Sequence, residues 1–176
     1  MFRYFKIEPF FFIVSNIGFM CAVSALNGEI SPYACVFVPA LYIVPAALFL
    51  DFAPMLFAVA VSAFFFEAST PVRAGSTAAL WLAAAAAVHA VRFRFRMCGR
   101  FSIAALFIAA NALITLACAL FYARGAECFS DYISRVGSDL LASSLALLVL
   151  GRLPIAAPLS MANVFGLDMS INEDER

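Results

Sequence analysis

His89 is the only histidine in the sequence, so neither a histidine-based catalytic triad nor a multi-histidine metal site can be assembled within one chain. Acid chemistry rests on a few carboxylates set among apolar residues, where a charge at depth in a low-dielectric medium is costly and has a reason to be there. Glu67 opens the run Glu67-Ala68-Ser69-Thr70-Pro71-Val72-Arg73-Ala74-Gly75, which brings an acid, a proline, a base and a glycine within nine residues. Such a run folds as a defined turn, across which Glu67 and Arg73 are placed to pair. It reads either as a helix end followed by a proline-started turn or as a partner-docking surface made by Glu67, Pro71, Arg73 and Gly75. Asp51 precedes Phe52-Ala53-Pro54, the pattern of a helix N-cap with proline in the first turn, and capping accounts for it. Asp139 follows Arg135 by four residues, so a pair along one helix face accounts for its charge. For His89, an imidazole at headgroup level bonded to a carbonyl or to lipid is favoured over a proton relay.

The five cysteines, Cys21, Cys35, Cys98, Cys118 and Cys128, form no Cys-x-x-Cys pair. No metal or cofactor is expected from them. Cys21, Cys35 and Cys118 read as small packing residues, Cys98 lies on the reducing side, and Cys35 is the one candidate partner for Cys128. Grouped carboxylates, or a nucleophile beside a base, are missing from the pattern, and the chain is not expected to be an enzyme.

The elements that must carry these residues are apolar all round. Six stretches, 9–26, 33–50, 52–66, 74–91, 102–122 and 136–150, hold most of the 176 residues, and only 12% of the chain is charged. Each is close to the roughly 17–25 residues a helix needs to cross about 30 Å of hydrocarbon, the third and sixth being short. Turns such as 10–14, 46–50 and 80–88 leave almost no polar face, so lipid or protein surrounds them. The alternation that barrel strands would need is absent. The fold class is therefore all-α, a polytopic membrane bundle of about six helices over residues 9–150, with a cytoplasmic start at 1–8 and a cytoplasmic segment at 151–176.

Positive charge sets the orientation. With the N-terminus inside, the inner segments hold Arg3, Lys6, Arg92, Arg94, Arg96, Arg100, Arg152 and Arg176, and the outer ones Arg73, Arg124 and Arg135. The joint at Asp51 carries no base, and a re-entrant hairpin over the second and third stretches would leave the orientation unchanged. Arg3 and Lys6 before an apolar run, with Val23-Ser24-Ala25 following, also fit a signal peptide; an uncleaved first helix is the preferred reading. Cys21 lacks the small residues before it that lipoprotein processing requires.

Within the second stretch, Pro39 and Pro45 each remove a helix hydrogen bond, which predicts a kinked or partly unwound helix. A broken helix is also where transporters bind substrate, but no buried charge cluster accompanies this one and a packing kink is preferred. In the fourth stretch Gly75, Ala79, Ala83 and Ala87 step at four-residue intervals, a small-residue face that predicts a place in the middle of the bundle or at a partner interface. Asn111 and Thr115 share a face of the fifth stretch and are expected to bond a neighbouring helix, with Asn16 as a candidate partner. Arg92, Phe93, Arg94, Phe95, Arg96 and Arg100 form a basic inner loop suited to lipid headgroups, by topology anchoring or by partner recognition. The zero formal charge argues against nucleic-acid binding. After Gly151, Pro154 and Pro158 precede a short helix along the inner surface, and 172–176 reads as a solvated acidic tail.

The size, the six stretches and the segment 59–96 resemble the MreD family of the bacterial rod-shape system. Members carry an acid at the end of the third helix, a proline-containing turn and a glycine opening an apolar helix that ends in basic residues. Glu67, Pro71, Gly75 and Arg92 to Arg96 fill those positions here, with glutamate for the usual aspartate and Ala63-Phe64-Phe65-Phe66 where glycines are common. The resemblance implies a bundle similar in layout to the substrate-binding subunits of energy-coupling-factor vitamin transporters. It also implies a non-catalytic scaffold that holds an MreC-type bitopic partner beside the peptidoglycan synthase complex in the bacterial inner membrane. The competing class is a vitamin-binding transport subunit, against which stand the short outer segments 27–32 and 67–74 and Trp81 as the sole tryptophan.

Overall fold

A computed structural model describes residues 7–30, 35–70, 75–96, 100–122, 129–151 and 153–164, with the backbone alone at 93–96, 100–102, 121–122, 129 and 162–163. The described residues form seven helices and no strand: α1 Glu8–Ile30, α2 Pro39–Phe49, α3 Phe52–Ser69, α4 Ser76–Arg96, α5 Arg100–Tyr122, α6 Phe129–Leu150 and α7 Leu153–Val164. Four helical segments are long and apolar enough to cross a membrane, Glu8–Ile30, Phe52–Ser69, Ile103–Leu120 and Ser130–Leu150, which is the make-up of a multi-pass membrane protein.

The second stretch departs most from expectation. Its helix starts only at Pro39, and residues 35–38 run non-helically into it. Pro39 stands at the first helical position, where its missing N–H and fixed φ cost nothing; only Pro45 lies inside the helix. An 11-residue helix is about 16 Å long, too short to span on its own.

Helix α2 is the centre of the molecule. Every residue from Pro39 to Leu48 is buried, and α1, α3, α4, α5 and α7 all pack against it. Trp81 of α4 is fully buried and stacks on Tyr42 of α2 with centroids 5.7 Å apart. Phe66 lies 5.2 Å from the same indole, and Phe66 meets Phe37 at 5.8 Å. Offset rings of this kind add about 0.5–1.5 kcal/mol per pair beyond their burial. The bundle's outer surface is leucine and valine: Leu113, Leu120, Leu141, Leu145 and Val149 are all exposed, as a lipid-facing surface requires.

Other boundaries shift. Helix α4 runs on through the basic residues, so Arg92, Arg94 and Arg96 occupy its last turns and Arg100 begins α5, rather than forming a loop. The face of α4 that packs within the chain is Ala78, Trp81, Ala85 and Val88. Ala79, Ala83 and Ala87, with Gly75, are exposed. The reason is bulk: Trp81 needs an enclosed site, and turning it inward rotates the alanine row outward. Helix α7 contains both prolines, Pro154 in its first turn and Pro158 inside, and packs on α1 and α2.

Gly151 makes the joint between α6 and α7. Its amide donates to the Leu147 carbonyl at 2.7 Å, and a Cβ there would lie 2.5 Å from that same oxygen. Gly151→Ala is expected to cost about 1–3 kcal/mol through a forced backbone shift and to loosen α7. Thermal melting in detergent, with protease cleavage at the joint, checks this; an unchanged melt would contradict it.

Candidate functional site: the ends of the central helix

Residues 35–38 bring backbone donors and acceptors into the helix bundle without a helix to pair them. Non-helical backbone among apolar helices persists only when protein groups satisfy it. Three surrounding helices supply side chains for the purpose. Asn27 of α1 makes a two-way bridge to Val36, accepting its N–H at 2.7 Å and donating to its carbonyl at 2.9 Å. Asp139 of α6 accepts the Cys35 N–H at 2.7 Å. One turn on, the Ser143 hydroxyl accepts the Phe37 N–H at 2.9 Å and donates to the Asp139 carbonyl at 2.6 Å. Asn111 of α5 accepts the Ala40 N–H at 3.4 Å and donates to the Phe37 carbonyl at 3.2 Å, which caps the first turn of α2.

The middle and far end of α2 are tied in the same way. Pro45 has no N–H to return to the Leu41 carbonyl, and at the next carbonyl, that of Tyr42, the Asn16 side-chain amide donates at 3.1 Å. The same amide nitrogen reaches the Ser62 hydroxyl at 3.0 Å. At the C-terminal end of α2, His89 Nδ1 meets the Ala47 carbonyl at 3.2 Å. Arg92 donates to the Leu50 carbonyl at 2.9 Å. His89 thus takes a carbonyl, as expected, and Phe52 lies against its ring at 5.5 Å.

A second capping site joins α3 to α4. Glu67 lies in the last turn of α3 and is buried. Its carboxylate accepts the Gly75 amide at 2.7 Å and the Ala78 amide at 2.8 Å, and the Thr77 amide as well. These are the otherwise unpaired donors of a helix start, and an acid is favoured there by the helix dipole. Gly75 has φ +83°, a left-handed conformation that favours glycine. Pro71 and Arg73 lie outside the described residues, and so does any Glu67–Arg73 pair. Both Glu67 oxygens are already engaged with amides.

Other expectations divide. Asp139 has Arg135 at 3.5 Å, the anticipated pair along one helix face, but its shortest bond is the one to Cys35. Asp51 stands at the N-cap of α3 yet makes no side-chain cap bond. Asn16 and Asn111 do not meet: each holds a different part of α2. The buried Thr115 hydroxyl and the Trp81 indole N–H have no hydrogen-bond partner among the described residues. Cys21, Cys35 and Cys118 are free thiols, while Cys98 and Cys128 lie outside the described residues. No group of three or more possible metal ligands occurs among the described residues.

Asn27 and Ser143 do not stand out in the sequence. Their partners are backbone groups of a segment that reads as helical, so nothing local marks them. Comparison with protein-family models, with curated proteins and with solved structures gives no match.

The arrangement is one of structural anchoring: side-chain amides, hydroxyls and carboxylates are committed to backbone groups. Asn111→Ala strands the Ala40 donor and the Phe37 acceptor, and a loss of about 1–3 kcal/mol is expected, read as a lower melting temperature in detergent. Glu67→Gln, which removes the charge and one acceptor, is expected to lower the melting temperature less than Glu67→Ala. Equal melting of both variants and the unchanged chain would reject the capping role.

Proposed function

We propose that the chain is a non-catalytic scaffold of the MreD type, which holds an MreC-like bitopic partner beside the peptidoglycan synthase complex in the bacterial inner membrane, with both termini cytoplasmic. In this reading the chain crosses six times. Residues 35–49 make the second crossing as a non-helical lead-in plus a short helix, and α4 makes the fourth. The observation that carries the reading is the use of these polar residues. The buried Asn16, Glu67, Asn111 and Ser143 and the half-buried Asn27 all bond backbone groups, which supports an interior used as a fastening and leaves the outer helix faces as the working surface. Exposed leucines on α5 and α6 offer a partner helix contact area, and association in lipid draws on packing of this sort.

A second reading is favoured by one feature. The interrupted α2, with Asp139 and two asparagines around its non-helical start, has the layout in which transport subunits hold a ligand against freed backbone. Under it the chain would be a vitamin-binding subunit of an energy-coupling-factor transporter.

Copurification separates the two. Gentle solubilisation is expected to retain an MreC-like protein and wall synthases; recovery of an ATPase pair with a bound vitamin would overturn the scaffold reading. Arg73→Glu is expected to weaken partner retention several-fold while leaving the melting temperature unchanged. Glu67 is unsuited to that test, because its substitution disturbs the start of α4.

A further inference from the structure

Trp81 of α4 is fully buried and Thr115 of α5 is 7% exposed, yet neither the indole N–H nor the threonine hydroxyl bonds a described residue. Both stand apart from the fastening described above. A buried donor or acceptor left unmade is costly, and buried polar groups in native proteins are nearly always paired. The Tyr42 ring stacks on the indole at 5.7 Å and the Phe66 ring lies 5.2 Å from it, so packing fixes the ring plane and with it the direction of the N–H. Its acceptor must come to it. A hydroxyl on a helix can return to the carbonyl one turn back, as Ser62, Ser143 and Ser144 do at Ala58, Asp139 and Leu140. Thr115 does not, and its hydroxyl is left for a group off its own helix.

The two residues stand at one level. Helices α4 and α5 are consecutive and pack against each other. Trp81 lies fifteen residues before Arg96, the end of α4, and Thr115 fifteen residues after Arg100, the start of α5, so each is roughly 22 Å from the joint between them. The helices run side by side at that depth, where Leu80, Ile114 and Ala117 border one cleft. Asn111, one turn from Thr115, bonds the Phe37 carbonyl, and the Phe37 ring meets Phe66, which in turn meets Trp81. An indole N–H only donates, whereas a hydroxyl donates and accepts. A water between them accepts from Trp81 and bonds Thr115, which gives it the two polar partners that a buried water needs. Its route is short: Trp81 is five residues from the start of α4 and Thr115 seven from the end of α5, roughly 8–11 Å along each helix.

We infer that one ordered water molecule bridges α4 and α5 at this level, accepting from the Trp81 Nε1–H and bonding the Thr115 hydroxyl. The bridge is independent of which partner the outer faces bind.

Trp81 is the sole tryptophan, so isotope-labelled tryptophan gives a single indole N–H signal in the NMR spectrum of the full chain in detergent. A downfield, hydrogen-bonded proton is expected, with a rotating-frame Overhauser cross-peak to water whose sign separates contact from proton exchange. Thr115→Val, which removes the hydroxyl at nearly constant shape, should lose that cross-peak, and Thr115→Ser should keep it. In the unchanged chain, an indole proton at the position of an unbonded N–H, or one without a contact to water, would overturn the site whether or not the variants fold. A water contact that persists undiminished in Thr115→Val would contradict the bridge. A cross-peak to the threonine side chain in place of water would assign a direct bond between the two residues, and one to detergent or added phospholipid would assign a lipid group; either result contradicts the inference.

Discussion

A peptide group in hydrocarbon has no water to fall back on, and each one left unpaired costs several kcal/mol. Residues 35–49 bring this constraint to the centre of the molecule, since they combine a non-helical lead-in, a helix of three turns and an internal proline. Their unpaired groups fall at set positions along the chain, and each must be met by a side chain of another helix. Asn27 and Asn16 fix α1 against the segment, Asn111 fixes α5, and Asp139 with Ser143 fixes α6. His89 and Arg92 fix α4 at the opposite end. The placement of four helices therefore follows from the demands of one short segment. Apolar packing around Trp81 and Tyr42 adds contact but does not choose the register; the hydrogen bonds do.

Helix α4 is held at both ends by the same principle. Its start is capped by a carboxylate from α3, and its last turns reach back to the carbonyls of α2. Glycine at position 75 allows the left-handed turn that brings the amides round to Glu67. With both ends fixed, the rotation of α4 is set by Trp81, and the alanine row faces outward as a consequence. A buried Trp81 and an exposed alanine row are thus two results of one choice of helix face.

Long apolar runs made the helical membrane class legible from sequence, because lipid solvates such runs over their whole circumference and no other fold tolerates them. Helix–helix fastening by polar residues was legible in kind at Asn111 and Asn16. Their partners were not, since a polar residue in a span does not say which neighbour it faces. The start of α2 at Pro39 was missed because a proline inside an apolar run reads as a kink, whereas here it is the first helical residue. Asn27 lies near the end of α1 and Ser143 within a serine pair, and only tertiary contact gives them meaning. Glu67 stood out as an acid closing an apolar stretch, but its use depends on the amides at the start of a helix that begins nine residues later. The MreD resemblance and the scaffold reading draw on that same acid, turn and glycine, and they remain proposals about what the outer faces bind.

The central claim is that side chains of α1, α5 and α6 lock the non-helical start of α2. Amide hydrogen exchange of the detergent-solubilised chain measures it directly. The amides of Val36, Phe37, Ala40 and Leu41 should exchange as slowly as those in the middle of α3, although 36 and 37 belong to no helix. Exchange at the rate of unstructured chain would contradict the account.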